Sequence, residues 1–293
     1  MEYTLVKQIK NNEILRKSFF ELAIKIYNLS FEDWYNNGFW TDKYIPYVYV
    51  ENNRVIANAS ANIMDTVWKG EQKRYIQIGT VMTDEEYRNK GLSRKLIQEI
   101  IDDWKDKCDG IYLFANHTVL DFYPKFGFIA EDQYQYIMPV DSVKNRIPFL
   151  KLNMDEQESR DILKRCYKKS NPFSALPMED NYGLLMFYCG AFMKDCVYYS
   201  KEFDVICVAE QEEEKLICFD IFGEQTLSME QIVSNIAEEG TKMVVFGFTP
   251  MKTKEGNFLK IDSVENDATL FVLKEKENIF STHKIMFPEL SHA

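Results

Sequence analysis

The sequence predicts a mixed α/β fold built from two units, and three observations carry that prediction. The chain has 293 residues, about twice the usual length of one domain. Residues 1–142 run strand, helix, several antiparallel strands, polar loop, helix, strand, helix, strand. Residues 150–293 repeat part of that order, as hairpin, loop, helix and strand.

Each element follows from local pattern. Residues 3–9 alternate as a strand, and Ile14–Tyr27 places apolar residues at helical spacing. Ser30 N-caps a short helix through Trp34. Tyr44–Val50 and Arg54–Met64 flank the turn Glu51-Asn52-Asn53 as a hairpin, and Tyr75–Met82 is a third strand after the turn at Gly70. Leu92, Leu96, Ile97, Ile100, Ile101 and Trp104 define an amphipathic helix over 91–105. Ile111–Ala115 is a short buried strand of parallel type. His117–Lys125 reads as a short helix stopped near Gly127, and Phe128–Val140 contains a last strand. Asp141–Pro148 is a linker. Beyond it come a helix over 155–169, a loop with Asn171-Pro172 and Leu176-Pro177, and an apolar run, 184–196, that fits helix or strand. Strands at 205–210 and 215–222 follow, then a helix from Ser228 to Gly240 with a capping-box pattern, and strands at 243–248 and 269–273.

Composition excludes several functions. Apolar residues at 46% and charged residues at 28% are globular values. With 35 Lys and Arg against 46 Asp and Glu, the chain lacks the basic face that nucleic acid requires. Residues 1–140 hold 17 basic and 20 acidic side chains, net −3; residues 141–293 hold 18 and 26, net −8. That acidic half would attract a cationic substrate such as an amine, or simply aid solubility. No apolar run approaches the roughly 18 residues of a membrane span, and Met1–Thr4 does not open a signal peptide. Six cysteines without a Cys-x-x-Cys pair, and three histidines, argue for reduced buried thiols in a cytoplasmic protein and against a metal site.

The chemistry concentrates where a strand meets a helix. Val81-Met82-Thr83 ends the strand, and Arg88-Asn89-Lys90-Gly91-Leu92-Ser93 feeds the helix. A helix start exposes unpaired N–H groups and the positive end of the dipole, so such a loop can wrap an anion. Gly91 allows close backbone approach, Ser93 is small, and Arg88 and Lys90 add charge. The expected ligand is a phosphate or pyrophosphate. Neither Walker A nor the Gly-x-Gly-x-x-Gly dinucleotide fingerprint is present.

Arg88-x-x-Gly91-x-Ser93 resembles the pyrophosphate loop of the GCN5-related N-acetyltransferase (GNAT) superfamily, with Ser93 in place of the usual Gly or Ala. Downstream, Asn116-x₆-Tyr123-x-Lys125-x-Gly127-Phe128 resembles a second family segment. The resemblance covers residues 1–140. It implies a GNAT fold in which Val81, Met82 and Thr83 lie beside the pantetheine arm, Arg88 to Ser93 hold the pyrophosphate, and Asn116 contacts the arm as well as capping a helix. Tyr123 matches the general acid, since a phenol beside the sulfur can protonate a departing thiolate; packing among Phe122, Phe126 and Phe128 is its structural alternative. The donor implied is acetyl-CoA, with no metal, and the acceptor is a small-molecule or peptide amine. The base is open. The strand Tyr75–Thr80 has no acid, and some multidomain relatives use the terminal carboxylate, here Ala293.

Glu224 stands where the echo in the second half would need a phosphate donor. That unit reads as GNAT-like without a CoA loop, serving to cover the cleft or to pair two chains as a homodimer. The expected activity is acyl-CoA-dependent N-acylation by direct attack in a ternary complex; the alternative is a non-catalytic acyl-CoA-binding or regulatory protein.

Overall fold

The computed structural model of the chain describes residues 3–140, 143, 146–251, 258–262 and 268–293. Asp141, Ser142, Lys144 and Asn145 of the expected linker lie outside them. Among the described residues seven strands belong to the first half: β1 (Thr4–Lys7), β2 (Tyr44–Glu51), β3 (Arg54–Trp68), β4 (Glu71–Thr83), β5 (Gly110–Asn116), β6 (Phe128–Glu131) and β7 (Tyr134–Pro139). Then follow β8 (Leu150–Lys151), β9 (Met178–Glu179), β10 (Val197–Ser200), β11 (Val205–Glu212), β12 (Lys215–Gly223), β13 (Met243–Phe246), β14 (Leu259–Asp262) and β15 (Ala268–Leu273). The helices are α1 (Glu13–Tyr27), α2 (Glu32–Asn36), α3 (Leu92–Trp104), α4 (Gln157–Tyr167), α5 (Tyr182–Phe187) and α6 (Met229–Ile236).

The strands form two mixed sheets. The first runs β1-β2-β3-β4-β5-β15-β6 with β9 paired to β3, and the second β14-β7-β13-β12-β11-β10-β8. The two sheets exchange strands. β15, from near the end of the chain, lies antiparallel between β5 and β6, and β7, from the first half, lies antiparallel between β13 and β14. A division at 142/150 therefore does not separate the sheets. The expected echo is visible around the exchange: an antiparallel hairpin, a crossover helix and a parallel strand occur as β3-β4-α3-β5 and again as β11-β12-α6-β13.

Local chemistry explains the elements that differ from expectation. Phe31, not Ser30, is the N-cap of α2, while Ser30 Oγ accepts from Glu32 N at 3.3 Å. The expected helix over 117–125 is two 3₁₀ turns, His117–Val119 and Tyr123–Phe126; Pro124 lacks the N–H that a continuous helix would use. The ambiguous apolar run is helical: Asn181 caps α5, which passes into a π turn over Tyr188–Phe192. α6 stops at Ile236, before Gly240, because Ala237 is already extended.

Packing alternates with the strand period. On β3, Ala57, Ala59 and Ala61 join Leu92, Leu96, Ile97 and Ile100 of α3 in one core; small residues let the helix approach the sheet. The intervening Asn58, Ser60 and Asn62 are also buried, so they face the interior on the side opposite α3. There Tyr75 and Tyr112 meet residues of α4, α5, the second sheet and the tail. Phe287 of the tail stacks on Tyr112 at 3.9 Å between ring centres, and Leu290 is fully buried. All six cysteines are free thiols. Among the described residues no helix is long and apolar enough to cross a membrane, and no His, Cys, Asp and Glu cluster could hold a metal ion.

Candidate active site

The cleft begins where two parallel strands part. β4 and β5 pair from Tyr75–Gly110 to Ile78–Leu113. Beyond that, Gly79–Thr83 stay with β3 while Phe114–Asn116 stay with β15, so a wedge opens between them. A bulge helps turn β4 aside: Asn58 faces Met82 and Ser60 faces Gly79, so two steps on β3 match three on β4. Thr80 adopts a positive φ of 50° there, which is rare for a β-branched residue. Asn58 Nδ2 donates to Thr80 O (2.7 Å), and Tyr44 OH donates to Thr80 Oγ1 (3.1 Å), so the buried polar row of β3 holds this backbone in place.

The loop after β4 is anchored at Asp84. Its buried carboxylate receives Lys25 (3.1 Å) and Arg54 (2.5 Å) and accepts from Glu86 N (3.2 Å). Burial pushes its pKa up, but these partners outweigh burial and hold it below the ordinary range. The chain then turns through Asn89 (φ 61°) and Gly91 (φ 73°). Gly91 is the N-cap of α3 and no side chain caps the helix. The first helical bond runs from Lys95 N to Gly91 O (3.2 Å), so the preceding amides lack intrahelical acceptors. A Cβ on Gly91 would find no atom within 4 Å, which leaves open space over those amides. Thr83 and Ser93 join hydroxyls at 2.7 Å, tying the helix start to the strand end.

The second unit differs at the matching position. Ser228 and Gln231 close a full capping box on α6, so the Gln231 amide of its first turn and the Ser228 amide are already served. Glu224 pairs with Lys169 at 3.1 Å.

The wedge widens into a cleft of about 1120 Å³. Val81, Met82, Thr83, Arg88, Asn89, Gly91, Leu92, Ser93, Asn116 and Tyr123 all line it. Lys90 is placed apart, its ammonium 4.5 Å over the Tyr87 ring, while Arg94, which the loop motif did not single out, lines the cleft. Asn116 Oδ1 accepts from Thr118 N and Oγ1, both at 3.0 Å, so it caps the following turn while facing the cleft. Tyr123 is buried beside Phe122, Phe128 and Phe271, and burial pushes its pKa up to about 12.

The far end of the cleft lies on the interior face of the first sheet. Asn62, Gln77, Gly79, His292 and Ala293 meet there. A Cβ at Gly79 would lie 2.2 Å from Ala293 O, so only glycine lets the tail lie on this strand. The His292 ring sits 3.8 Å from that of Phe114, and Tyr188 OH donates to His292 O at 2.6 Å. Burial lowers the pKa of His292 to about 4, although a hydrogen bond to the Phe287 backbone works the other way; the ring is neutral at pH 7. Gln77 Oε1 and His292 Nε2 are buried without a hydrogen-bond partner among the described residues. The lining includes no Asp or Glu side chain among the described residues, so the acidity of the second half lies elsewhere. Sequence reading missed Asn58, Ser60, Asn62 and Gln77. The available signal was the strict Ala–polar alternation of residues 57–62.

Comparison with known proteins bears on the fold. The chain superposes on a conserved protein of unknown function from Enterococcus faecalis V583 with a TM-score of 0.63 and 14% identity, covering 93% of this chain and 72% of that one. Eis1 from Mycobacterium abscessus gives 0.55 at 11% identity, covering 92% and 73%. A GCN5-related N-acetyltransferase from Kribbella flavida gives 0.54 at 14%, covering 92% and 71%. At these identities the likeness is one of fold. No curated protein matches the chain. Residues 11–128 match the acetyltransferase (GNAT) family model, so this part of the chain is a GNAT acetyltransferase domain.

Proposed function

We propose that the protein transfers an acetyl group from acetyl-CoA to a primary amine, by direct attack in a ternary complex. The observation that carries this reading is the uncapped start of α3 opening onto the β4–β5 wedge, with Tyr123 in the same cleft. The amides at the helix start, with Arg88 and Arg94, suit a pyrophosphate. The segment Gly79–Thr83, parted from β5, suits the amides of a pantetheine arm.

In the reaction, the amine nitrogen attacks the thioester carbonyl. The N–C bond forms, the C–S bond breaks, one proton leaves the nitrogen, and the sulfur departs as thiolate. Tyr123 stays protonated at neutral pH and supports the sulfur by donating a hydrogen bond. With a phenol near 12 and a thiol near 8.5, full transfer would be uphill by about 3.5 units, or ~5 kcal/mol; donation rather than complete transfer is the role its burial fits. No side-chain carboxylate lines the cleft among the described residues. Where the polypeptide ends at Ala293, its carboxylate, resting on Gly79, is the base we propose.

The test is thiol release from acetyl-CoA across a panel of amines, with CoA binding measured separately. Turnover that falls in Tyr123→Phe at unchanged CoA affinity supports the enzyme. Tight CoA binding without turnover for any amine would show a binding protein instead.

A further inference from the structure

We infer that the acceptor is a monoamine with an aromatic or similarly apolar body, seated against the ring wall beyond Gly79. This rests on the acyltransferase reading and adds the acceptor class to it.

Beyond Gly79 the cleft is walled by carbon. Phe31, Trp34 and Tyr44 come from the first half, and Leu184, Phe187 and Tyr188 from the second. Their rings pack on one another, Phe31 on Phe187 at 5.6 Å and Trp34 across Phe187 at 5.9 Å. The polar ends of this wall already have protein partners. Trp34 Nε1 donates to Gly183 O (2.6 Å), Tyr44 OH donates to Thr80 Oγ1 and accepts from Ser60 Oγ (3.0 Å), and Tyr188 OH donates to His292 O. What remains for a ligand is apolar surface and ring faces, which suit a flat hydrocarbon body.

Charge points the same way. Lys43 is the cation on this wall, and it is paired with Asp65 (2.5 Å) and Asp180 (3.3 Å). No lining side chain among the described residues is acidic, so a second or third ammonium of a polyamine or aminoglycoside would lie against carbon without a counter-charge. One amino group is provided for: where the polypeptide ends at Ala293, its carboxylate, against Gly79 at this end of the cleft, serves the reacting nitrogen and leaves no counter-charge for another.

The experiment compares 2-phenylethylamine and tryptamine with spermidine and kanamycin, using the full chain and acetyl-CoA. The expected kcat/KM for the aryl amines exceeds that for the polycations by on the order of 100-fold, and Phe187→Ala raises KM for phenylethylamine more than it lowers kcat. Equal or better use of spermidine or kanamycin would overturn the acceptor class while leaving acyl transfer intact. Calorimetry of phenylethylamine and spermidine on the CoA-saturated protein reads the class independently of turnover. Phenylethylamine binding without turnover would keep the pocket assignment and refute the acyltransferase reading; spermidine binding more tightly would refute the pocket assignment itself.

Discussion

Gly79→Ala is the most economical probe of the cleft. The added Cβ would lie 2.2 Å from Ala293 O and 3.1 Å from Asn62 Nδ2. An ordinary carbon–oxygen contact is about 3.5 Å, so roughly 1.3 Å must be found. Gly79 is locked into the β3 ladder opposite Ser60, so the tail must move, not the strand. Overpacking of this kind costs about 1–3 kcal/mol. At about 2–4 °C per kcal/mol for a chain approaching this size, Tm should fall by roughly 2–12 °C. The Tyr188–His292 bond would be strained with it. The Arg88–Ser93 loop is remote from Gly79 along β4 and should be unaffected, so CoA affinity should hold while kcat falls about 100-fold, the penalty for a misplacement near 1 Å. Hydrogen exchange over 287–293 checks the displacement, and steady-state kinetics with calorimetry check the rest. Unchanged exchange in the tail together with wild-type kcat would refute the reasoning.

Other outcomes follow from the same geometry. Tyr123→Phe should lower kcat by about 10²–10³, the loss of one hydrogen-bond donor to developing charge, without changing CoA affinity, and kcat should show no alkaline fall from this group below its pKa of about 12; a wild-type rate in the variant would remove Tyr123 from the chemistry. Gly91→Val would place a β-branched residue at φ 73°, costing about 1–2 kcal/mol, and its side chain would project over the free amides, so CoA should bind at least tenfold more weakly by calorimetry. Asp220 is buried against Asn171, and burial lifts its pKa to about 7 despite hydrogen bonds from Asn171 and the Ile221 amide. Below about pH 4 the group carries its proton in both states and costs nothing. Between about pH 4 and 7 only the unfolded chain releases that proton, so stability falls, by about 4 kcal/mol in all, and then levels. Asp220→Asn should flatten this slope and gain stability at pH 8; urea melts of both proteins across pH 4–8 giving parallel curves would contradict it.

The legible part of this protein was its local chemistry. The 3.6-residue period of Leu92, Leu96, Ile97, Ile100 and Ile101, preceded by Gly91, marks α3 and its loop without reference to the rest of the chain, and the hairpins announce themselves through their turns. Short strands such as Val197–Ser200 and Leu259–Asp262 escaped because four residues carry too little period to rise above their surroundings. The aromatic wall of the cleft was illegible for another reason. Phe31 and Phe187 are 156 positions apart, and only the placing of α5 against α1 and α2 joins them in one core. The acidity of the second half located nothing for a like reason: a count of charges reports composition, not which faces meet.

The crossing of β15 into the first sheet bears on how the chain is made. β6 has β15 as its neighbour in that sheet, and Ala268 lies 137 positions after Glu131. At a synthesis rate of about 5–20 residues per second, Phe128–Glu131 leaves the ribosome roughly 7–27 s before its partner exists. During that interval β5 and β6 present open edges, and the cleft has one wall unsupported. The first half cannot therefore mature as an early, independent product of translation, and a nascent chain stalled before Ala268 should display these edges to chaperones, a consequence that a simple tandem arrangement of the same two sheets would not impose.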